Sequence, residues 1–304
     1  MSNVVRLERD SGVARITLAR PLSGNALNLV LLEQLSHFIK EANCDDSCRV
    51  ITISAEGTHF CQGIDLEETL RRALGDTRRA LGDTRRALGD TRRALGDTRQ
   101  ALGDTRRALG DTLPNGGPPE LALFNHTFID CLTLIARSSR PVIACVEGKV
   151  TGGGLGLVAA CDLVLATSNA SFMLSEVIVG LIPALIAPFL RRRLSSARVR
   201  YMTLSSRAIN ADEAWQFGLV DEVAKEGMMR ALDRQLKRLF RSNPSALAES
   251  KRYFAELDGT TLERQVEIAL KHATSWLSQP EVVEGMQSFV DGFSPPWWQK
   301  YSKQ

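Results

Sequence analysis

Residues 148–167 read GKVTGGGLGLVAACDLVLAT. Three consecutive glycines, Gly152, Gly153 and Gly154, close the strand-like run PVIACVEG (141–148) with its extension KVT and open the apolar helical run that follows. A helix that starts on glycine leaves its first N–H groups without intrahelical acceptors, at the positive end of the helix dipole. A second loop has the same character. In HFCQGIDLEE (59–68) a buried strand ends and Gly63-Ile64-Asp65 leads into a helix, which puts the Ile64 N–H at a helix start. Two such donors can flank one oxygen, and paired backbone N–H groups stabilise enolates and tetrahedral intermediates without a charged side chain. Either loop alone is also what a plain strand-to-helix turn looks like.

Outward from these loops the chain alternates strand and helix patterns. VVRLERD (4–10) and VARITLAR (13–20) alternate apolar and polar residues around Ser11-Gly12, predicting an N-terminal hairpin. NALNLVLLEQLSHFIKEA (25–42) and LALFNHTFIDCLTLIARS (121–138) carry helical spacing, whereas CRVITISA (48–55), DLVLAT (162–167) and SFMLSE (171–176) read as strands. From Ala211 onward the pattern is nearly all helix. This rhythm predicts an α/β core with a helical C-terminal part.

Residues 71–112 interrupt it with six tandem heptads, RRALGDT five times and RQALGDT once. Each unit offers a single Leu and the helix-poor trio Gly-Asp-Thr, too little apolar surface for a coiled coil. The expectation is a solvated, mobile, at best partly helical insertion, with a docking arm as the competing idea. Its 11 Arg and 6 Asp account for the basic balance of the chain, formally +3 over 304 residues. Without them 27 basic face 29 acidic residues, so the pI carries no argument for nucleic-acid binding. No apolar run is long enough to span a membrane and the N-terminus lacks a signal-peptide core, which predicts a soluble cytoplasmic protein. Six cysteines, at 44, 48, 61, 131, 145 and 161, have neither metal-site nor disulfide-framework spacing and are expected to be free, mostly buried thiols.

The ordered series RPLSGNALN (20–28), HFCQGIDL (59–66), GKVTGGGLGLVAACDLVLAT (148–167), FMLSEVIVGLIP (172–183) and AINADEAWQFGLVDEV (208–223) resembles the crotonase (enoyl-CoA hydratase/isomerase) superfamily. The resemblance implies a spiral of ββα units with a helical trimerisation region. It divides the chain into a core of residues 1–70 and 113–205, the insertion 71–112, and a helical C-terminal region 206–304. It further implies an acyl-thioester substrate whose carbonyl oxygen lies between the backbone N–H groups of Ile64 and Gly153, no cofactor or metal, and assembly as a homotrimer or a dimer of trimers.

Hydratases of this superfamily use two glutamates. At the first position this chain has Gly156, and at the second it has Glu176. Incomplete hydration machinery leaves Glu176 as the expected general base, able to take a proton α to a thioester if burial raises its pKa. The wording GKV-x-x-GG-x-G-x-VAA-x-D, LSE, PFL-x-RR and YMTL, present here at 148–162, 174–176, 188–193 and 201–204, is similar to the polyketide β-branching dehydratases. These remove water from a 3-hydroxy-3-methylglutaryl group on an acyl carrier protein. An enoyl-CoA isomerase or hydratase, and a non-catalytic binding protein of the same fold, are the alternatives. Secondary candidates are His59, which could touch substrate or be a structural strand-end residue, and Asp65, which could assist leaving-group protonation but whose place better suits a cap on the helix after Ile64. Arg191, Arg192, Arg193, Arg198 and Arg200 could meet an acidic carrier protein or the phosphates of a thioester arm, or form a cationic helix end. The tail SPPWWQKYSKQ (294–304) is expected to be buried against the body or against a neighbouring subunit.

Overall fold

The computed structural model describes residues 3–74 and 119–302. The chain starts with the hairpin of β1 (Val5–Asp10) and β2 (Val13–Leu18), paired antiparallel from Val5 with Leu18 to Asp10 with Val13. Ser11 and Gly12 both sit at positive φ, 51° and 77°. Two left-handed residues match the twist of the flanking strands, which is why a tight hairpin forms here. From β2 the sheet continues in parallel through β3 (Val50–Ala55), β5 (Val142–Val146), β7 (Leu163–Ala166) and β10 (Glu222–Val223), giving the order β1-β2-β3-β5-β7-β10. All five residues of β5 are buried, as expected of a strand covered on both faces.

Parallel neighbours need crossovers. Helix α1 (Leu29–Cys44) joins β2 to β3 and starts where the Asn28 side chain accepts the Leu31 N–H. Helices α2 (Leu66–Leu74) and α3 (Pro119–Ala136) lie between β3 and β5, and α4 (Gly153–Ala160) lies between β5 and β7. Three strands of the large sheet, β3, β5 and β7, are each followed by a short strand of a second sheet before the next helix: β4 (His59–Cys61), β6 (Lys149–Thr151) and β8 (Ser171–Met173), mutually parallel, closed by antiparallel β9 (Ile209–Asn210). This is the expected spiral of ββα units. The sequence reading missed one break. The strand that leads to the glycine triplet is two strands in different sheets, turned at Gly148 (φ 75°), where a Cβ would run into the Thr58 carbonyl.

Between the sheets and helices α1, α3 and α4 lies the main core, with Phe60, Phe128 and Phe172 fully buried. Burial of each such side chain is worth about 1.5–3 kcal/mol. On the opposite face of the large sheet, Val13, Val50, Ile143, Cys145 and Leu165 pack under α8 (Met228–Leu239), Phe240 and Tyr301. The chain reaches α8 through α5 (Ala187–Arg193), α6 (Ser196–Ser205) and α7 (Ala211–Phe217). The C-terminal helices are α9 (Pro244–Leu257), α10 (Leu262–Leu277) and α11 (Pro280–Val290). Residues beyond 205 are not purely helical, since β9 and β10 complete the two sheets. Of the heptads, Arg71–Leu74 belong to α2, and the remainder of the expected insertion lies outside the described residues.

The tail docks as expected. Trp297 covers Gly285 so closely that no side chain fits there, Tyr301 is buried, and the Arg15 guanidinium donates to its hydroxyl at 3.0 Å. All six cysteines are free and only Cys44 is exposed. Among the described residues, no helix is long and apolar enough to cross a membrane.

Candidate active site

The site forms where β4 and β6 end side by side. Their ladder pairs His59 with Lys149 and Cys61 with Val150, with an irregularity between. Past it, Gly63 (φ 87°) presses against the glycine triplet. A Cβ added there would lie 2.9 Å from the Thr151 oxygen and 3.0 Å from the Gly153 nitrogen. Only glycine combines that conformation with that approach.

Both peptide planes are held from behind. The Gly63 carbonyl accepts from Leu27 N–H at 2.7 Å and the Asp65 N–H donates to Leu27 at 2.9 Å, a parallel bridge that turns the Ile64 N–H to the other edge. The Gly152 carbonyl accepts from Leu155 N–H at 2.9 Å, so the Gly153 N–H of the same peptide points away from the helix. Among the described residues, neither the Ile64 nor the Gly153 amide donates to a protein acceptor. The two N–H groups named from the sequence therefore sit on abutting loops, with unused donors.

Glu176 joins them. It opens the 3-10 turn Glu176–Val179 that follows β8. A Cβ placed on Gly152 (φ 51°) would lie 3.5 Å from Glu176 Oε1 and 3.6 Å from Ser175 Oγ. Among the described residues, the Glu176 Oε2 is buried without a hydrogen-bond partner. Burial pushes its carboxyl above the ordinary carboxylate range, against the pull of the N–H groups of Glu176 and Ser175. A half-buried carboxylate lying against Gly152, on the loop that carries one of two free backbone donors, can take a proton from carbon while the donors hold the resulting oxyanion.

A family model described as enoyl-CoA hydratase/isomerase matches residues 8–88 and 111–300. The chain belongs to the enoyl-CoA hydratase/isomerase family. Its similarity to the bacillaene synthase dehydratase PksH of Bacillus subtilis is 37% identity over 155 residues, 51% of this chain and 59% of that protein. The match to 4-chlorobenzoyl coenzyme A dehalogenase-2 of an Arthrobacter species is 25% over 294 residues, 94% of this chain and 90% of the relative. Among solved structures, an enoyl-CoA hydratase/isomerase from Marinobacter aquaeolei superposes with a TM-score of 0.77 at 27% identity, covering 98% of this chain and all of that one.

As an enoyl-CoA hydratase/isomerase family member the chain departs from the two-glutamate pattern at Gly156, and the structure gives the consequence. A Cβ there would sit 2.5 Å from Ile186 Cγ2 and 3.2 Å from Leu132 Cδ1. The space a second carboxylate would need is filled by apolar side chains.

The secondary candidates separate. Asp65 accepts the Glu68 N–H at 3.0 Å, capping α2, and its other oxygen meets Arg20 at 3.1 Å. Asp65 thus acts as a helix cap, which also orders the loop carrying Ile64. His59 stands apart, at the far end of the β4/β6 ladder from Gly153, with its Nδ1 3.0 Å from the Thr58 hydroxyl. Within the arginine cluster, Arg193 binds the carbonyls of Cys161 and Asp162 and pairs with Asp221, Arg192 pairs with Asp258, and Arg198 lies over the Phe217 ring. Arg193 is committed within the fold, whereas Arg192 and Arg198 make these contacts from exposed positions. Arg191 and Arg200 stay exposed.

Sequence reasoning missed three supports of the site. Asn25, fully buried at φ 54°, donates to the carbonyls of Glu56 and His59 and so shapes the RPLSGNALN loop. Asn28 donates to Glu68 at 2.7 Å, linking α1 to α2. Thr151 donates to the Gln62 carbonyl at 2.8 Å. The only signal in the sequence was their place inside quoted motifs.

Proposed function

We propose that this chain is an acyl-thioester hydro-lyase in which Glu176 is the single acid/base group and the amides of Ile64 and Gly153 hold the thioester oxygen. The observation that carries the reading is a buried Glu176 oxygen without a partner among the described residues, on a carboxyl that lies against Gly152, together with the unused amides of Ile64 and Gly153. Ionised Glu176 takes the α-proton of a 3-hydroxyacyl thioester, and the electron pair moves into the carbonyl to give an enolate held by the two amides. The enolate collapses, expelling the 3-hydroxyl, which leaves as water with the proton returned from Glu176. One carboxylate suffices because it carries the same proton twice.

For the substrate, a 3-hydroxy-3-methylglutaryl group on an acyl carrier protein, giving the 3-methylglutaconyl thioester in polyketide β-branching, is supported by the motif wording and by similarity to a protein named a bacillaene synthase dehydratase. A cytoplasmic location fits a chain with five buried free thiols. A homotrimer, or a dimer of trimers, fits the exposed apolar residues of the C-terminal helices, among them Phe289 at 76% and Val290 at 79% exposure.

The lack of a second carboxylate at Gly156 equally suits an isomerase, in which one carboxylate moves a proton between C2 and C4 of an enoyl thioester. Incubating the protein with hydroxymethylglutaryl and enoyl thioesters, on both coenzyme A and a carrier protein, and following product mass separates the two. Loss of one water supports the dehydratase. Unchanged mass with a shifted double bond supports the isomerase, and no turnover of any of them returns the chain to the binding-protein class.

A further inference from the structure

The two amides belong to different ββα units, and each loop is anchored to a different neighbour. The first is bonded to the segment before α1, through Gln62 N–H to Gly24 and through Gly63 and Asp65 to Leu27. The second is bonded to β8, through Gly152 N–H to Met173 at 3.0 Å. The glycine contacts between the loops set a minimum separation but supply no attraction of direction. Past the end of the β4/β6 ladder, and among the described residues, one hydrogen bond joins the loops, from Thr151 Oγ1 to the Gln62 carbonyl at 2.8 Å.

Both ends of that bond are stiff. Thr151 is in register with Met173 on β8. Gln62 donates its N–H to Gly24 at 2.9 Å and lays its side chain across the Cα of Gly24. Gln62 immediately precedes Gly63-Ile64, and Thr151 immediately precedes Gly152-Gly153.

We propose that Thr151 is a positioning residue whose hydroxyl sets the spacing between the Ile64 and Gly153 amides. The inference rests on those amides binding the thioester carbonyl. Two donors must sit at hydrogen-bond distance from the same developing oxyanion, and a sub-ångström drift of one loop against the other weakens one of them. Thr151 is partly exposed, so water can satisfy the Gln62 carbonyl when the hydroxyl is removed. The fold therefore tolerates the loss and the geometry does not.

The test compares wild type, Thr151→Val, Thr151→Ala as a second deletion of the hydroxyl, and Thr151→Ser as the conservative rescue. One readout is turnover. Removing the hydroxyl should lower kcat roughly tenfold with KM within about twofold, and Ser should restore most of it. The second readout is the infrared carbonyl stretch of a bound, unreactive saturated acyl thioester, isotope-labelled at the carbonyl carbon. The wild type should lower that frequency on binding, Val and Ala should lose a large part of the shift, and Ser should keep it. A full shift and unchanged kcat in Val and Ala overturn the role of Thr151 while leaving the carbonyl-binding reading intact, as does a loss of melting temperature with the shift preserved. A bound thioester with no shift in the wild type overturns the carbonyl-binding reading itself, and this inference with it.

Discussion

In the proposed reaction the chemistry depends on one carboxyl, that of Glu176, which burial makes harder to ionise. Replacing it with Gln keeps shape and removes the base, so turnover should fall by roughly 10²-fold or more with the fold intact. A steady-state assay beside a melting curve checks this, and near-native rates would remove Glu176 from the mechanism. The raised carboxyl also has a sign. Wild-type kcat/KM should rise with pH through a midpoint above the usual glutamate value of about 4.3. The protonated form is the one the fold favours, so this site's contribution to stability is present at low pH and lost as pH rises through the raised pKa. Glu176→Gln should consequently be at least as stable as wild type at neutral pH, with the difference shrinking on acidification. Gly156 makes the complementary point. Gly156→Glu should not create a two-carboxylate hydratase, because its Cβ meets Ile186 and Leu132. Overpacking there should cost about 1–3 kcal/mol, read by denaturant unfolding. A gain of hydration activity in a stable variant would show that the wall can open.

Between elements, one polar cluster ties the C-terminal helices to the sheet. Asp162, at the entry to β7, accepts the Val142 N–H of β5 at 2.7 Å and the Lys251 ammonium of α9 at 2.6 Å. The same ammonium donates to the Arg140 carbonyl at 3.1 Å. Lys251→Met leaves both acceptors short of a donor in a partly buried setting, at a cost of about 1–3 kcal/mol. The melting temperature should fall by several degrees, and protease cleavage of residues 244–290 should speed up. An unchanged melting temperature would mean that α9 is held by packing alone.

For the whole molecule, thiol chemistry reports the packing. Burial pushes the Cys61, Cys131 and Cys145 thiols up to about 12, and Cys48 and Cys161 upward as well. Exposed Cys44 alone should react quickly with an aromatic disulfide reagent in the native state, and all six after denaturation. Fast titration of a second thiol would contradict the core assignment. The heptads offer a second global test. Because α2 reaches Leu74, the clean excision is Gly75–Thr112. Loop-closure entropy changes slowly with length, so the shortened chain should keep its melting temperature and its kcat/KM within a few fold. Unchanged stability with a large, salt-sensitive rise in KM on a carrier-bound substrate would instead identify the repeat as a docking arm.

What the sequence determined by itself was whatever is written in short range. The hairpin at Ser11-Gly12, the helical run through residues 29–42, the buried strands and the glycine loops were legible, because strand period, helix period and glycine placement are properties of neighbouring residues, whereas Glu176 stood out only through the resemblance of its motif to the family's second glutamate. The tertiary structure alone decided the turn at Gly148 that sends β6 into a second sheet, the two late strands that complete both sheets, and the commitment of Arg193 to Asp221. It also decided that Ile186 and Leu132 close over Gly156, and that Thr151 reaches Gln62, 89 residues away in sequence. Such partners are chosen by which surfaces the packed core brings within hydrogen-bond reach. No local pattern encodes that distance, so the residues that align this site became visible only once the units were stacked.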